Sequence, residues 1–177
     1  MIYTTKELLA KNETEYSIRN KLLSKKLFLV ERGLYSDEPQ NFVDEVYISK
    51  KYPNAVLTGL SAFYLYDLTD HIPDCFYLAT EQHSFPIRRK DVVQSYQDKS
   101  FFDIGVITKD NVRTYDLERL LIELFRLKEK YPREIYYEVL SSFRKNKSQI
   151  DFYKVNDYLK HFSNGSSLAM RIKEAFV

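Results

Sequence analysis

Thr14-Glu15-Tyr16-Ser17-Ile18-Arg19-Asn20-Lys21-Leu22-Leu23-Ser24-Lys25-Lys26 runs directly into Leu27-Phe28-Leu29-Val30-Glu31-Arg32-Gly33-Leu34-Tyr35-Ser36. The first run carries Ile18, Leu22 and Leu23 at helical spacing, behind a Thr14 able to cap a helix. After Lys26 the period changes. Leu27-Phe28-Leu29-Val30 reads as a strand, Glu31-Arg32-Gly33 as a turn with Gly33 free to take a positive φ, and Leu34-Tyr35-Ser36 as the returning strand. Upstream, Thr4-Thr5-Lys6-Glu7-Leu8-Leu9-Ala10-Lys11 predicts a shorter helix with Thr5 as its N-cap and Asn12 as its close.

Helix, helix and tight hairpin predict a winged helix-turn-helix over residues 1–40, ended by the polar, proline-containing Asp37-Glu38-Pro39-Gln40. Residues 41–177 read as a second, mixed α/β domain ending in a helical C-terminus, so the chain as a whole is expected to be α+β. In that domain a helix is expected from Phe42 to Lys51, broken by Pro53, and another from Thr58 to Tyr66, capped by Thr58. Phe76-Tyr77-Leu78-Ala79, residues 102–108 and residues 112–115 read as strands. From Asp116 onward four apolar stripes at helical spacing follow one another: Leu117/Leu120/Leu121/Leu124/Phe125, Ile135/Val139/Leu140/Phe143, Phe152/Val155/Leu159/Phe162 and Leu168/Ile172/Ala175/Phe176.

Composition narrows the functional classes. Hydrophobic residues at 44% and charged residues at 29% of 177 match a soluble globular chain. Four glycines argue against a glycine-rich phosphate cradle. With a single cysteine, Cys75, no disulfide forms within the chain, and His71, His83 and His161 lack metal-ligand spacing, so neither metal nor cofactor is expected. Residues 1–12 are charged and amphipathic, unlike a signal peptide, and the longest apolar run, residues 62–65, is too short for a membrane span. A cytoplasmic protein without membrane association is the expectation.

The formal net charge is only +2, so a nucleic-acid role has to be argued from where the charge sits. On a wheel of about 100° per residue, Ile18, Leu22 and Leu23 define the buried side of the second helix. Tyr16, Ser17, Asn20, Lys21 and Ser24 then face outward, polar groups suited to base edges in a major groove, with Asn20 matched to adenine. Arg19 lies on the flank. Between Tyr16 and Arg32 stand five basic residues, Arg19, Lys21, Lys25, Lys26 and Arg32, against the single acid Glu31. Arg19, Lys25, Lys26 and Arg32 are expected to anchor phosphates, Arg32 from the wing tip with Tyr35 after it. The same pattern also fits a solvated helix face or a protein-docking module.

The stretches Thr4-Thr5-Lys6-Glu7-Leu8-Leu9, Leu22-Leu23-Ser24-Lys25-Lys26-Leu27 and Val30-Glu31-Arg32-Gly33-Leu34-Tyr35 resemble the N-terminal winged helix of AbiEi-type antitoxins. The resemblance continues through Tyr52-Pro53-Asn54-Ala55-Val56-Leu57-Thr58-Gly59-Leu60-Ser61-Ala62, Tyr66-Asp67-Leu68-Thr69-Asp70 and Tyr115-Asp116-Leu117-Glu118-Arg119-Leu120-Leu121, in the same order along nearly the whole chain. It implies a transcriptional repressor that binds inverted repeats in its own promoter. It further implies an antitoxin in a type IV toxin–antitoxin (abortive infection) system, countering a nucleotidyltransferase-like toxin without a stable complex. The C-terminal domain is implied to carry the antitoxin activity, and the protein to be a monomer that binds DNA cooperatively.

A catalytic role is not expected. Gly59-Leu60-Ser61 with Asp67 and Asp70 evokes a nucleotide-handling enzyme, but the acids are three residues apart rather than one, and the small residues read as packing positions. Asp116 and Arg119 read as a cap or an ion pair. Arg88-Arg89-Lys90 and Arg144-Lys145-Asn146-Lys147 read as solvated loops, with a second nucleic-acid surface as the alternative.

Overall fold

The computed structural model describes residues 1–39 and 44–176. They form two compact units: Met1–Pro53 together with Asp110–Val112, and Asn54–Lys109 together with the residues from Arg113 onward. The fold is mixed α+β.

In the first unit, β1 (Ile2–Thr4), α1 (Thr5–Ala10), α2 (Glu15–Leu23), β2 (Phe28–Glu31), β3 (Leu34–Ser36) and α3 (Glu45–Lys51) follow in order. Two capping boxes start the first two helices. The Thr4 hydroxyl accepts from the Glu7 amide at 3.1 Å while the Glu7 carboxylate accepts from the Thr4 amide at 2.7 Å. Thr4 therefore caps α1, one residue before the expected Thr5. Thr14 caps α2 as expected, in a reciprocal pair with Ser17 at 2.9 and 3.1 Å. Asn12 ends the first helix in the left-handed region, at φ 63°.

The strands make an antiparallel sheet in the order β1-β3-β2, with Ile2 opposite Ser36 and Phe28 opposite Ser36 on the other side. Gly33, at φ 85°, makes the hairpin turn. Under the sheet lies a small apolar cluster of Leu8, Ile18 and Leu27, with Tyr3, Leu22 and Tyr35 packed on it. So small a cluster makes each member count. Ile18→Ala is expected to cost about 2–5 kcal/mol of this unit's stability. Amide hydrogen exchange would show it as faster exchange throughout α1 and α2.

The boundary expected at residue 40, and the expected helix start at Phe42, lie outside the described residues. Helix α3 starts at Glu45, capped by the Asp44 carboxylate 2.7 Å from the Tyr47 amide. It belongs to the first unit, which continues to Pro53. Lys50 pairs with Glu7 at 2.5 Å, Lys51 pairs with Glu31, and the Tyr47 hydroxyl donates to Glu31 at 2.9 Å. Burial pulls the Lys51 ammonium down, but its hydrogen bonds to Glu31 and Tyr47 outweigh this and hold it above the usual lysine value.

A five-stranded sheet, all of it in the second unit but for Val112, has the order β6-β5-β4-β8-β7: Val92–Gln97, Phe76–Glu81, Val56–Leu57, Val112–Tyr115 and Val106–Lys109. Helix α4 (Gly59–Leu65) follows β4, and the four-residue α5 (Lys99–Phe102) precedes β7. The strand expected over residues 102–108 is thus shorter, because Asp98 caps a helical turn through Phe102. Four further helices complete the unit: α6 (Leu117–Arg126), α7 (Arg133–Lys145), α8 (Phe152–Leu159) and α9 (Gly165–Ala175). Helix α6 is buried on all sides from Glu118 to Phe125. An all-round buried helix makes it the centre of this unit's core.

Candidate nucleic-acid interface

Helix α2 presents a different face from the one its apolar spacing suggests. At about 100° per residue, Leu22 falls some 40° from Ile18, but Leu23 falls some 140° away. The structure follows that phase. Ile18 is buried and Leu22 half-buried, whereas Leu23 is 75% exposed. The expectation that Leu23 helps to bury the helix is therefore corrected. It joins the outer stripe, where Tyr16, Arg19, Asn20 and Leu23 stand at i, i+3, i+4 and i+7, all exposed.

Ser17 and Lys21, expected to face outward, are engaged within the unit instead. The Ser17 hydroxyl donates to the Glu13 carboxylate at 2.5 Å, and Lys21 makes an ion pair with Glu13. The Lys21 hydrogen bond, then that of Ser17, holds the Glu13 carboxyl below its usual range. Glu13 lies just before the basic run, outside the residues that the wheel considers. Its spacing of four residues from Ser17 and eight from Lys21 is the signal that could have found it.

At the end of α2, Ser24 is the C-cap and its hydroxyl donates to the Lys21 carbonyl at 3.3 Å. Lys25 takes a left-handed φ of 54°, and the amides of Lys26 and Leu27 both donate to the Lys21 carbonyl, at 2.9 and 3.1 Å. This tight exit turns Leu27 into the core and leaves Ser24, Lys25 and Lys26 exposed. Arg32 is exposed in the hairpin turn. Tyr35, in contrast, sits on the central strand opposite Tyr3 and Leu29, half-buried on the Leu8–Ile18–Leu27 cluster, so it belongs to the core and not to the exposed face of α2 and the hairpin turn.

Charge in this unit is sorted by pairing. The acids Glu7, Glu13 and Glu31 are each matched by a lysine, Lys50, Lys21 and Lys51. Among the described residues, Arg19, Lys25, Lys26 and Arg32 have no acidic partner, and neither do Lys6 and Lys11 on the first helix and its end. Glu15, exposed in the first turn of α2, stands four residues before Arg19 on the same helix.

In the second unit's basic clusters Arg89, Arg144 and Lys147 are engaged, whereas Arg88, Lys90 and Lys145 are exposed without an acidic partner among the described residues. Arg89 makes a two-point pair with Asp91, with Nε to Oδ1 at 2.7 Å. Arg144 and Lys147 donate to the carbonyls of Ala175 and Phe176 at 2.6 and 2.8 Å, closing the C-terminal end of α9. Ser61 ties α4 to β5, donating to the Cys75 carbonyl at 3.2 Å and accepting from the Tyr77 amide at 3.0 Å. Asp116 caps α6 at 2.9 Å and pairs with Lys154, also at 2.9 Å. Among the described residues no group of three His, Cys, Asp or Glu is placed to hold a metal ion, and no helix is long and apolar enough to cross a membrane.

No family model and no curated protein matches this sequence. A solved structure of similar fold is the RV2827C protein from Mycobacterium tuberculosis, with a TM-score of 0.63 at 10% identity over 99% of this chain and 72% of that one. At that identity the likeness shows the fold alone.

Proposed function

We propose that the protein is a sequence-specific DNA-binding regulator whose first unit is a winged helix-turn-helix, with α2 as its recognition helix and β2–β3 as a short wing. One observation carries this reading: four exposed cations without acidic partners among the described residues, Arg19, Lys25, Lys26 and Arg32, accompany a helix stripe of Tyr16, Arg19 and Asn20 in a protein nearly neutral overall. The β1-β3-β2 sheet order around two short helices supports it. Such a unit lays the recognition helix in the major groove, where an amide such as Asn20 pairs with adenine while cations hold the backbone. Following the family resemblance, the DNA is the protein's own promoter, bound as a monomer at inverted repeats. The wider role is that of an antitoxin to a nucleotidyltransferase-like toxin. A titration of duplexes tiling the DNA upstream of the reading frame tests this. Affinity should fall with salt at a log–log slope of about −3 to −4, one unit or so per anchored phosphate. A flat salt dependence rejects it.

Glu13 supplies a separate prediction. Glu13→Gln removes a carboxylate beside the interface and releases Lys21 and Ser17 toward solvent. The variant should bind duplex DNA more tightly and steepen the salt slope by about one. The pH dependence has a definite sign. Because the Glu13 pKa is depressed in the folded state, its pair with Lys21 persists above the usual carboxylate range and is lost only as pH falls through the lowered value. Part of the wild-type gain in affinity on acidification should therefore be missing in Glu13→Gln, as read by anisotropy across an acid pH series.

A further inference from the structure

We infer that Leu23 reads the methyl group of thymine, so that the DNA this protein selects carries an A·T step under the C-terminal half of α2. The inference rests on the DNA-binding reading above and adds to it the class of base pair recognised. Its ground is placement. Leu23 is 75% exposed, on the same stripe as Asn20 and Arg19, one turn from Asn20, with Tyr16 equally exposed at the other end of the stripe. A leucine held in water on a polar stripe gains by burial against any apolar group offered to it.

The major groove offers one such group, the C5 methyl of thymine. Asn20 is suited to the N6 and N7 positions of adenine. Along the helix, Leu23 lies about 4.5 Å beyond Asn20, close to the roughly 3.4 Å between successive base pairs. The two side chains thus address neighbouring pairs, one through an amide and the other through a methyl contact. The charge beside the stripe favours a duplex over a protein as its occupant. Lys25 and Lys26 follow closely after Leu23 and Arg19 precedes it, exposed and without acidic partners among the described residues. Those cations match a phosphate backbone and would oppose the drying of a protein–protein contact.

The test uses the full chain and the DNA upstream of its reading frame, prepared once with thymine and once with uracil throughout, which removes only the methyl groups. Wild-type protein should bind the uracil duplex roughly fourfold more weakly per methyl contacted, the transfer value of one methyl group expressed as an affinity ratio. Leu23→Ala should bind both duplexes alike, near the wild-type affinity for uracil DNA. Because the side chain is exposed, unchanged thermal unfolding of the variant checks that the fold is kept, and Leu23→Gln gives a second, polar replacement with the same expected loss of discrimination. If both variants bind DNA but keep the wild-type ratio of thymine to uracil affinity, the inference is overturned while the DNA-binding reading stands. If wild-type protein binds neither duplex at low salt, that reading falls and the inference with it. The inference is likewise overturned if Leu23→Ala leaves the thymine-to-uracil ratio intact and instead disrupts a self-association seen by light scattering.

Discussion

A variant with Ala at Arg19, Lys25, Lys26 and Arg32 together should lose essentially all measurable affinity for duplex DNA at physiological salt while unfolding like the wild type. Each of these cations is exposed and makes no ion pair among the described residues, so its removal takes little from the folded state. Each phosphate contact contributes about 0.9 to the slope of log affinity against log salt, so four removals should flatten the curve by about 3.6. Single replacements should each flatten it by about 0.9, with equal losses on specific and random sequences, because phosphate contacts carry no base information. Asn20→Ala should behave differently. It should cost about 1–3 kcal/mol on the preferred sequence and little on random DNA, leaving the salt slope unchanged. Anisotropy titrations at several salt concentrations distinguish the two kinds of loss. A quadruple variant with the wild-type slope would remove these residues from the interface.

The second large effect lies in the other unit. Arg119→Ala is expected to destabilise it by about 3–5 kcal/mol, read as a shift in the midpoint of urea unfolding. The Arg119 side chain is 0% exposed, and so is that of its partner Glu123, 2.8 Å away. Its guanidinium lies 4.7 Å from the ring centre of Tyr115, 4.8 Å from Phe162 and 5.4 Å from Phe101, and donates to the Phe101 carbonyl at 2.7 Å. Alanine would leave a cavity among those rings and strip Glu123 of one of its two arginines, the other being Arg126 at 2.7 Å. Arg119→Met fills the volume and should lose clearly less. Equal losses for the two variants would show that the charge alone matters at this position.

How much of the fold and of the candidate interface is legible in the sequence depends on how strong each local signal is. The helices after Asp116 read clearly because their apolar stripes repeat over several turns. Thr14 and Gly33 read clearly because a cap and a tight turn each demand particular chemistry. The two-residue β4 carries no period at all, and edge strand β6 alternates too weakly to separate from its loop. Phe102 looks like strand until Asp98 is recognised as a cap. Asp116 is the cap of α6, yet the Arg119 side chain turns to Glu123, while the Asp116 carboxylate is taken by the Tyr158 hydroxyl and Lys154, partners some forty residues away that the local spacing does not reveal. Leu23 is easily misplaced because it sits beside Leu22, and adjacency suggests a shared face although the wheel separates the two. Tyr35, Ser17 and Lys21 read as outward-facing because the core that holds Tyr35, and the Glu13 that holds the other two, become visible only once the helices are placed.

The central claim is that α2 and the hairpin turn lie against a DNA duplex. Backbone amide shifts of the full chain, followed as duplex from the upstream region is added at low salt, test it most directly. Changes should concentrate in Glu15–Leu23, at Lys25 and Lys26, and at Arg32 and Gly33, and should fade as salt is raised. Saturable changes confined to the unit built around α6, or no change at all in α2, would contradict it.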